Sequence, residues 1–203
     1  MDRPLFIVFE GIDGCGKSTQ AKRLAEYFSS VLIPVVLTAE PSDSPAGIII
    51  KSLKARPEPE QEYELFIEDR RHHVRNVILP SLKKGFTVIC DRYVYSSAAY
   101  QGSRGLDVDK ILLSNFEFAP KPDIVFIIEI PVDLAIERIR KNRDAAFSLF
   151  EKKDSLQRVD RVYKYLHEKE IIRLDGAKSE DLVHQEIISV IESCIEPYWP
   201  NSH

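Results

Sequence analysis

The sequence predicts an α/β fold: a five-stranded parallel sheet with helices on both faces. Three observations point to it. Five short apolar runs rich in strand formers alternate with segments of helical period, an order that gives a parallel sheet. Two of those runs, Leu5–Phe9 and Ile124–Ile128, are apolar throughout, as strands buried on both faces are. No repeat, Gly/Ser linker or low-complexity segment divides the chain, so residues 1–203 are expected to form a single domain.

Leu5–Phe9 is the first strand, and Ser18–Ser29 is a helix because Ala21, Leu24, Ala25 and Phe28 recur on one face. Val31–Thr38 is the second strand candidate. Glu60–Lys84 is helical in pattern through Leu65, Phe66, Val74, Val77 and Ile78, and Pro80 should kink or restart it. Thr87–Cys90 is a third strand that ends at Asp91, Asp107–Phe118 a helix, and Ile124–Ile128 the fourth strand. Pro131 opens the next helix, its fixed φ suiting a first turn. Residues 142–153 have no clean period and read as a loop or an incomplete helix. Leu156–His167 is helical and Ile171–Leu174 is the last strand. Ser179 can cap a closing helix whose apolar positions are Val183, Ile187, Val190, Ile191 and Cys194. Ligands of such sheets bind at the carboxyl ends of the strands.

Hydrophobic residues at 44% and charged residues at 30% suit a soluble globular chain and argue against disorder. With 28 Lys and Arg against 32 Asp and Glu, the net charge is −4. No global positive field draws the chain to nucleic acid or to an anionic membrane, so any polyanion it binds is expected to be small and held locally. Leu5–Phe9 is too short for a signal-peptide core and is followed by Glu10, and no uncharged run could cross a bilayer. A cytoplasmic location is expected. Cys15, Cys90 and Cys194 lack metal-ligand spacing and are expected as reduced thiols.

Gly11-Ile-Asp-Gly-Cys-Gly16-Lys17-Ser18 matches the P-loop pattern and lies between a predicted strand and a predicted helix, the context the motif requires. It implies a P-loop NTPase fold and a nucleoside triphosphate site. Gly11, Ile12, Asp13, Gly14, Cys15 and Gly16 form the cradle, with Lys17, Ser18 and Thr19 opening the helix. The glycines let backbone amides curl around phosphate oxygens, and the helix N-terminus adds partial positive charge. Lys17 can bridge the β- and γ-phosphates, and the Ser18 hydroxyl can take a Mg2+ position. Lys141-Asn-Arg-Asp144 reverses the first pair of the Asn-Lys-x-Asp guanine reader, which argues against a GTPase.

Asp91-Arg92-Tyr93 follows an apolar strand, so a carboxylate and a guanidinium face the same cleft as the P-loop. Asp91 can act on Mg2+ through water or on the attack geometry of an acceptor, and Arg92 can grip a phosphate bidentately. Phe66 and Arg70 stand four apart and project from one helix face, where a ring can stack on a base and a guanidinium can reach a phosphate or a carbonyl. Tyr163 and the histidines are assigned to packing or surface.

Those residues lie within longer blocks: Phe9 to Gln20, Glu40-Pro41, Leu65-Phe66 with Asp69-Arg70, Asp91 to Gly102, Gly105-Leu-Asp107, Lys121-Pro-Asp123 and Phe150-Glu151. Together they resemble the thymidylate kinase family of P-loop nucleoside monophosphate kinases, and the resemblance covers nearly the whole chain. It implies transfer of the γ-phosphoryl group of ATP to dTMP with Mg2+, in dTTP synthesis, by a homodimer formed through helices. It implies further that Phe66 stacks on thymine, that Arg70 and Arg92 hold the dTMP phosphate and base edge, and that Ser97 and Gln101 hydrogen-bond the pyrimidine. Tyr100 would crowd the sugar 2′ carbon, Asp13 would approach the 3′-hydroxyl and the acceptor phosphate, and Glu40 and Pro41 would line the acceptor pocket. A kinase for another pyrimidine nucleotide such as dUMP, or a nucleotide-binding module with weak transfer, is the alternative.

The chain departs from the family in two places. Many relatives carry Arg before the Glu-Pro pair and Gly-Gly-Thr after it, where this chain has Ala39 and Ser42-Asp-Ser44. Residues 12–15 hold no basic side chain, so a short lid at about 142–153 is expected to supply the catalytic cation. The frequent Asp-Arg-Phe-Glu of that lid reads Ser148-Leu-Phe-Glu151 here. Arg143 is the first choice and Arg140 the second, with Arg138 and Lys141 as further candidates.

Overall fold

The computed structural model describes residues 3–142 and 153–195. Five strands pair in parallel: β1 (Phe6–Glu10), β2 (Val35–Ala39), β3 (Thr87–Asp91), β4 (Ile124–Glu129) and β5 (Ile171–Asp175), in the order β2-β3-β1-β4-β5. β1, β3 and β4 are central and buried nearly throughout, whereas β2 and β5 form the partly exposed edges. That explains why the central runs read as continuously apolar. Nine helices are described: α1 (Lys17–Ser30), α2 (Pro45–Ser52), α3 (Pro59–His73), α4 (Leu79–Lys83), α5 (Val94–Gly102), α6 (Val108–Phe116), α7 (Val132–Asn142), α8 (Lys153–Tyr165) and α9 (Glu180–Ile195).

The second strand starts later than the pattern predicts. Val31 N–H bonds the Tyr27 carbonyl and Leu32 takes a left-handed φ of 61°, so these apolar residues close the turn after α1 and β2 begins at Val35. The long helix predicted over 60–84 is three pieces, with a π-turn at Val74–Ile78 between α3 and α4. In it Leu79 N–H reaches the Val74 carbonyl, and Pro80 falls in the first turn of α4, where its missing donor does no harm. α2 and α5 had no periodic signal. α2 is apolar on most sides, and α5 is buried from Val94 through Gln101, so neither shows amphipathic contrast. Residues 143–152, most of the expected lid, lie outside the described residues.

The register places the ends that matter side by side. Phe9 pairs with Asp91 on one side and with Phe126 on the other, so the loop after β1 emerges beside the end of β3. From these two neighbours the chain departs in opposite directions across the sheet, and a cleft opens between them.

Candidate active site

The loop after β1 curls because three residues take positive φ: Gly11 at 133°, Gly14 at 83° and Gly16 at 103°. A Cβ at Gly11 would stand 2.5 Å from the Ile128 carbonyl oxygen, and one at Gly14 would stand 2.6 Å from that of Ala135. At Gly14, therefore, both the backbone angle and the space exclude a side chain. Gly14→Ala is expected to lower stability by about 1–3 kcal/mol and to weaken nucleotide binding, as thermal melting with and without ATP would show. Lys17, at the start of α1, donates from Nζ to the Ile12 carbonyl at 2.9 Å, so its ammonium spans the loop. Ile12 itself points into the core, and burial pushes the Cys15 thiol up, which keeps it neutral.

Asp13, Gly14, Lys17, Ser18, Thr19 and Arg92 border a cavity of about 570 Å³, as do Arg138 of α7 and Gly176 and Lys178 after β5. Ser18 Oγ donates to Asp91 Oδ2 across the β1–β3 cleft, and Asp91 Oδ1 is buried with no partner among the described residues. A hydroxyl beside an unsatisfied carboxylate oxygen is a donor set that suits a hard cation such as Mg2+.

A second cavity, of about 390 Å³, adjoins the first. Glu40, Pro41, Phe66, Arg70, Arg92, Ser97, Tyr100 and Gln101 all border it, together with Asp13. Arg92 has a left-handed φ of 72° and pairs with Asp13, its guanidinium carbon 5.1 Å from the Tyr100 ring centre. Burial alone would pull the Arg92 pKa down, but the charge of Asp13 together with those of Tyr100, Tyr163 and Asp91 outweighs this and it stays cationic. Strain of this kind in a non-glycine residue is characteristic of functional sites. Phe66 is half-buried, with its ring at the cavity wall.

Arg70 is 1% exposed and is held from four directions. Its Nε and Nη2 donate to Glu40 Oε2 at 2.9 and 2.7 Å, Nη2 also to Ser97 Oγ at 3.0 Å and the Tyr93 carbonyl at 3.1 Å, and Nη1 to Asn115 Oδ1 at 2.6 Å. Glu40 Oε1 in turn meets His73 Nδ1 at 3.1 Å, and His73 Nε2 meets Thr38 Oγ1 at 2.7 Å. Asp69 accepts from Ser42 N at 2.9 Å, Ser42 Oγ at 2.5 Å and Ser44 Oγ at 2.6 Å, and Ser44 caps α2. Ser42 and Ser44 thus pin the loop after Pro41 onto α3.

Sequence reasoning assigned no role to Glu10, Glu62, His73 or Asn115. Glu10 is fully buried and accepts from Tyr93 N at 2.8 Å, Ser96 N at 3.1 Å, Ser96 Oγ at 2.6 Å and Tyr163 Oη at 2.9 Å. It holds the first turn of α5, the helix that carries Ser97, Tyr100 and Gln101. Burial pushes its carboxyl pKa up, partly offset by those donors and by Arg92. A signal existed for Glu62 and His73: positions 62, 66, 69, 70 and 73 put charged and aromatic residues on one helical stripe. Of the cation candidates, Arg138 borders the P-loop cavity, whereas Arg140 and Lys141 border a separate one with Asp133, Glu137 and Lys153. Arg143, Phe150 and Glu151 lie outside the described residues.

The three cysteines are free, and no helix among the described residues is long and apolar enough to cross a membrane. The chain is 39% identical over 193 residues to the thymidylate kinase of Desulfotalea psychrophila, covering 94% of this chain and 95% of that one. It is 44% identical over 205 residues to the probable thymidylate kinase of Thermococcus kodakarensis, covering 94% and 98%. With the thymidylate kinase of Akkermansia muciniphila the identity is 38% over 199 residues, covering 96% and 93%. The family model for thymidylate kinase matches residues 9–187, a span from the last residues of β1 into α9 that contains both cavities, and the chain belongs to that family.

Proposed function

We propose that the chain transfers the γ-phosphoryl group of ATP to dTMP, giving ADP and dTDP. One observation carries this reading: Asp13 and Arg92 border both cavities, so the triphosphate cradle and the cavity that contains Phe66 and Arg70 meet at a single ion pair. An oxygen of the acceptor phosphate bonds to the γ-phosphorus as the bond to the β–γ bridging oxygen breaks. Little covalent chemistry falls to the protein, whose task is to align the two phosphates and neutralise charge on the transferring oxygens. Lys17 acts from the donor side and Arg92 from the acceptor side, while Asp13 keeps Arg92 directed at the junction. Phe66 stacks on the base, Arg70, Ser97 and Gln101 face its polar edge, and Tyr100 restricts the space beside the sugar. Ser18 and Asp91 would hold Mg2+, which when bound neutralises the phosphate oxygens of the donor.

For the lid cation, the position of Arg138 at the donor cavity supports a role for it beside the expected Arg143. Arg138→Ala is expected to lower kcat by at least tenfold, about 1.4 kcal/mol in barrier, while Arg140→Ala stays within about twofold of the parent. Equal effects from both would sink the assignment. Exposed Ile48 and Ile49 on α2 and Leu113 on α6 supply apolar surface for a second copy, and a homodimer is proposed on that ground.

The deciding experiment follows ADP release with dTMP, dUMP, UMP and thymidine as acceptors. Turnover of dTMP is expected to lead, with dUMP behind by roughly 10- to 200-fold, the effect of one methyl group in an apolar pocket. A preference for thymidine would contradict the phosphate role of Arg92, and ATP binding without ADP release would leave only a binding module.

A further inference from the structure

We propose that Glu62, which does not border the acceptor cavity, determines which bases that cavity accepts by fixing the orientation of the Gln101 side-chain amide. The inference rests on the reading above that this cavity holds the acceptor base.

Glu62 lies in α3 with its side chain 0% exposed. Its carboxylate accepts from Arg56 Nε at 2.7 Å and Nη2 at 2.5 Å, from Arg104 Nη1 at 2.8 Å and from Gln101 Nε2 at 3.1 Å. Burial would raise its pKa, but the hydrogen bonds and charge of Arg56, with the bonds from Gln101 and Arg104, outweigh that and hold it below the usual value. An ionised carboxylate can only accept, so the Gln101 amide must turn its NH2 toward it. Gln101 Oε1 is then the atom left over. It is buried, on a residue 1% exposed that borders the cavity, and it has no partner among the described residues.

The Arg70 guanidinium borders the same cavity and can only donate. The cavity therefore presents a donor and an acceptor in fixed roles. A thymine or uracil ring offers a carbonyl at position 4 and an N–H at position 3, which match that pair. Cytosine offers an amino group and a bare ring nitrogen, which oppose it at both points. Were the amide free to rotate by half a turn, Gln101 could donate to cytosine as readily as it accepts from thymine. Glu62 removes that freedom, and the penalty for a buried acceptor facing an acceptor falls on the cytosine ring. Its role is that of a positioning residue acting through Gln101.

The test compares kcat/KM for dTMP, dUMP and dCMP in the full chain and in Glu62→Gln, Gln101→Met and the double variant. The parent is expected to prefer dUMP to dCMP by about 100-fold or more. A glutamine at position 62 can donate or accept, so Glu62→Gln should shrink that preference by about tenfold or more. The dTMP to dUMP ratio should stay within about twofold, since those bases share the same edge. In the Gln101→Met background the Glu62 change should leave the dUMP to dCMP ratio unmoved. An unchanged ratio in Glu62→Gln, or an equal shift in both backgrounds, would overturn the proposal, as would a parent enzyme that uses dCMP as well as dUMP. Should Glu62→Gln fail to fold, the Gln101 side-chain amide protons of the 15N-labelled parent decide. They should be protected from exchange before and after dUMP binds, and protection gained only on binding would refute the hold by Glu62. Failure to phosphorylate dTMP at all would sink the functional reading instead, which keeps the two failures distinct.

Discussion

Lys17→Met is expected to lower kcat by about 10²- to 10³-fold, roughly 2.7–4 kcal/mol, the size of losing one preorganised charge at a transition state. Methionine keeps the length and apolar stem of the buried side chain, so packing at the start of α1 survives. What is lost is the ammonium that spans the loop from the Ile12 carbonyl, which the proposed mechanism sets against the charge that develops on the transferring oxygens. The acceptor cavity does not include Lys17, so dTMP binding measured by calorimetry should stay within about twofold of the parent. Single-turnover rates at saturating ATP and dTMP give the comparison. A loss below about tenfold would mean that other groups neutralise the γ-phosphoryl oxygens.

Arg70→Met should remove about 3–5 kcal/mol of folding stability, because it strands a buried partner rather than deleting a pair. Glu40 is 4% exposed and Asn115 0%, and both direct oxygens at the lost guanidinium. For a chain of this size the melting temperature should fall by roughly 6–20 °C. Arg70→Lys should not rescue it, since an ammonium cannot reproduce a planar fork that reaches Glu40, Ser97, Asn115 and the Tyr93 carbonyl together. Burial alone would pull the Arg70 pKa down, yet the charge and hydrogen bonds of Glu40, with the charges of Tyr93 and Glu10, outweigh it, so the guanidinium stays cationic. A loss below about 1 kcal/mol by urea denaturation would show that Glu40 finds its partners elsewhere. Arg70 would therefore join folding to recognition: the group proposed to face the base edge also ties α3 to the end of β2 and to α5.

The donor cradle was legible because it is local. Its eight positions from Gly11 to Ser18 are contiguous, and their spacing alone dictates the curl, the lysine and the helix start. The central strands were legible for a related reason, since burial on two faces leaves its mark within five residues. The second cavity was legible as a whole only through resemblance, because it draws on five separated stretches, at 13, 40–41, 50–56, 66–70 and 92–101. Its supporting carboxylates were missed: Glu62 meets Gln101 across 39 residues of chain and Glu10 meets Ser96 across 86, and nothing in either neighbourhood names the partner. α5 escaped because a helix buried on nearly every side has no polar face to set its period.

From its sequence alone this protein has its sheet-and-helix class, its phosphate-binding loop and its expected acceptor residues, since each is written in short-range spacing or in motifs. Tertiary structure alone decided that Arg138 rather than Arg140 borders the donor cavity, that Arg70 is a buried hub, and that Glu62 stands behind Gln101. Those outcomes depend on which distant segments the parallel sheet brings together, and burial then turns each such meeting of charge into a geometric constraint.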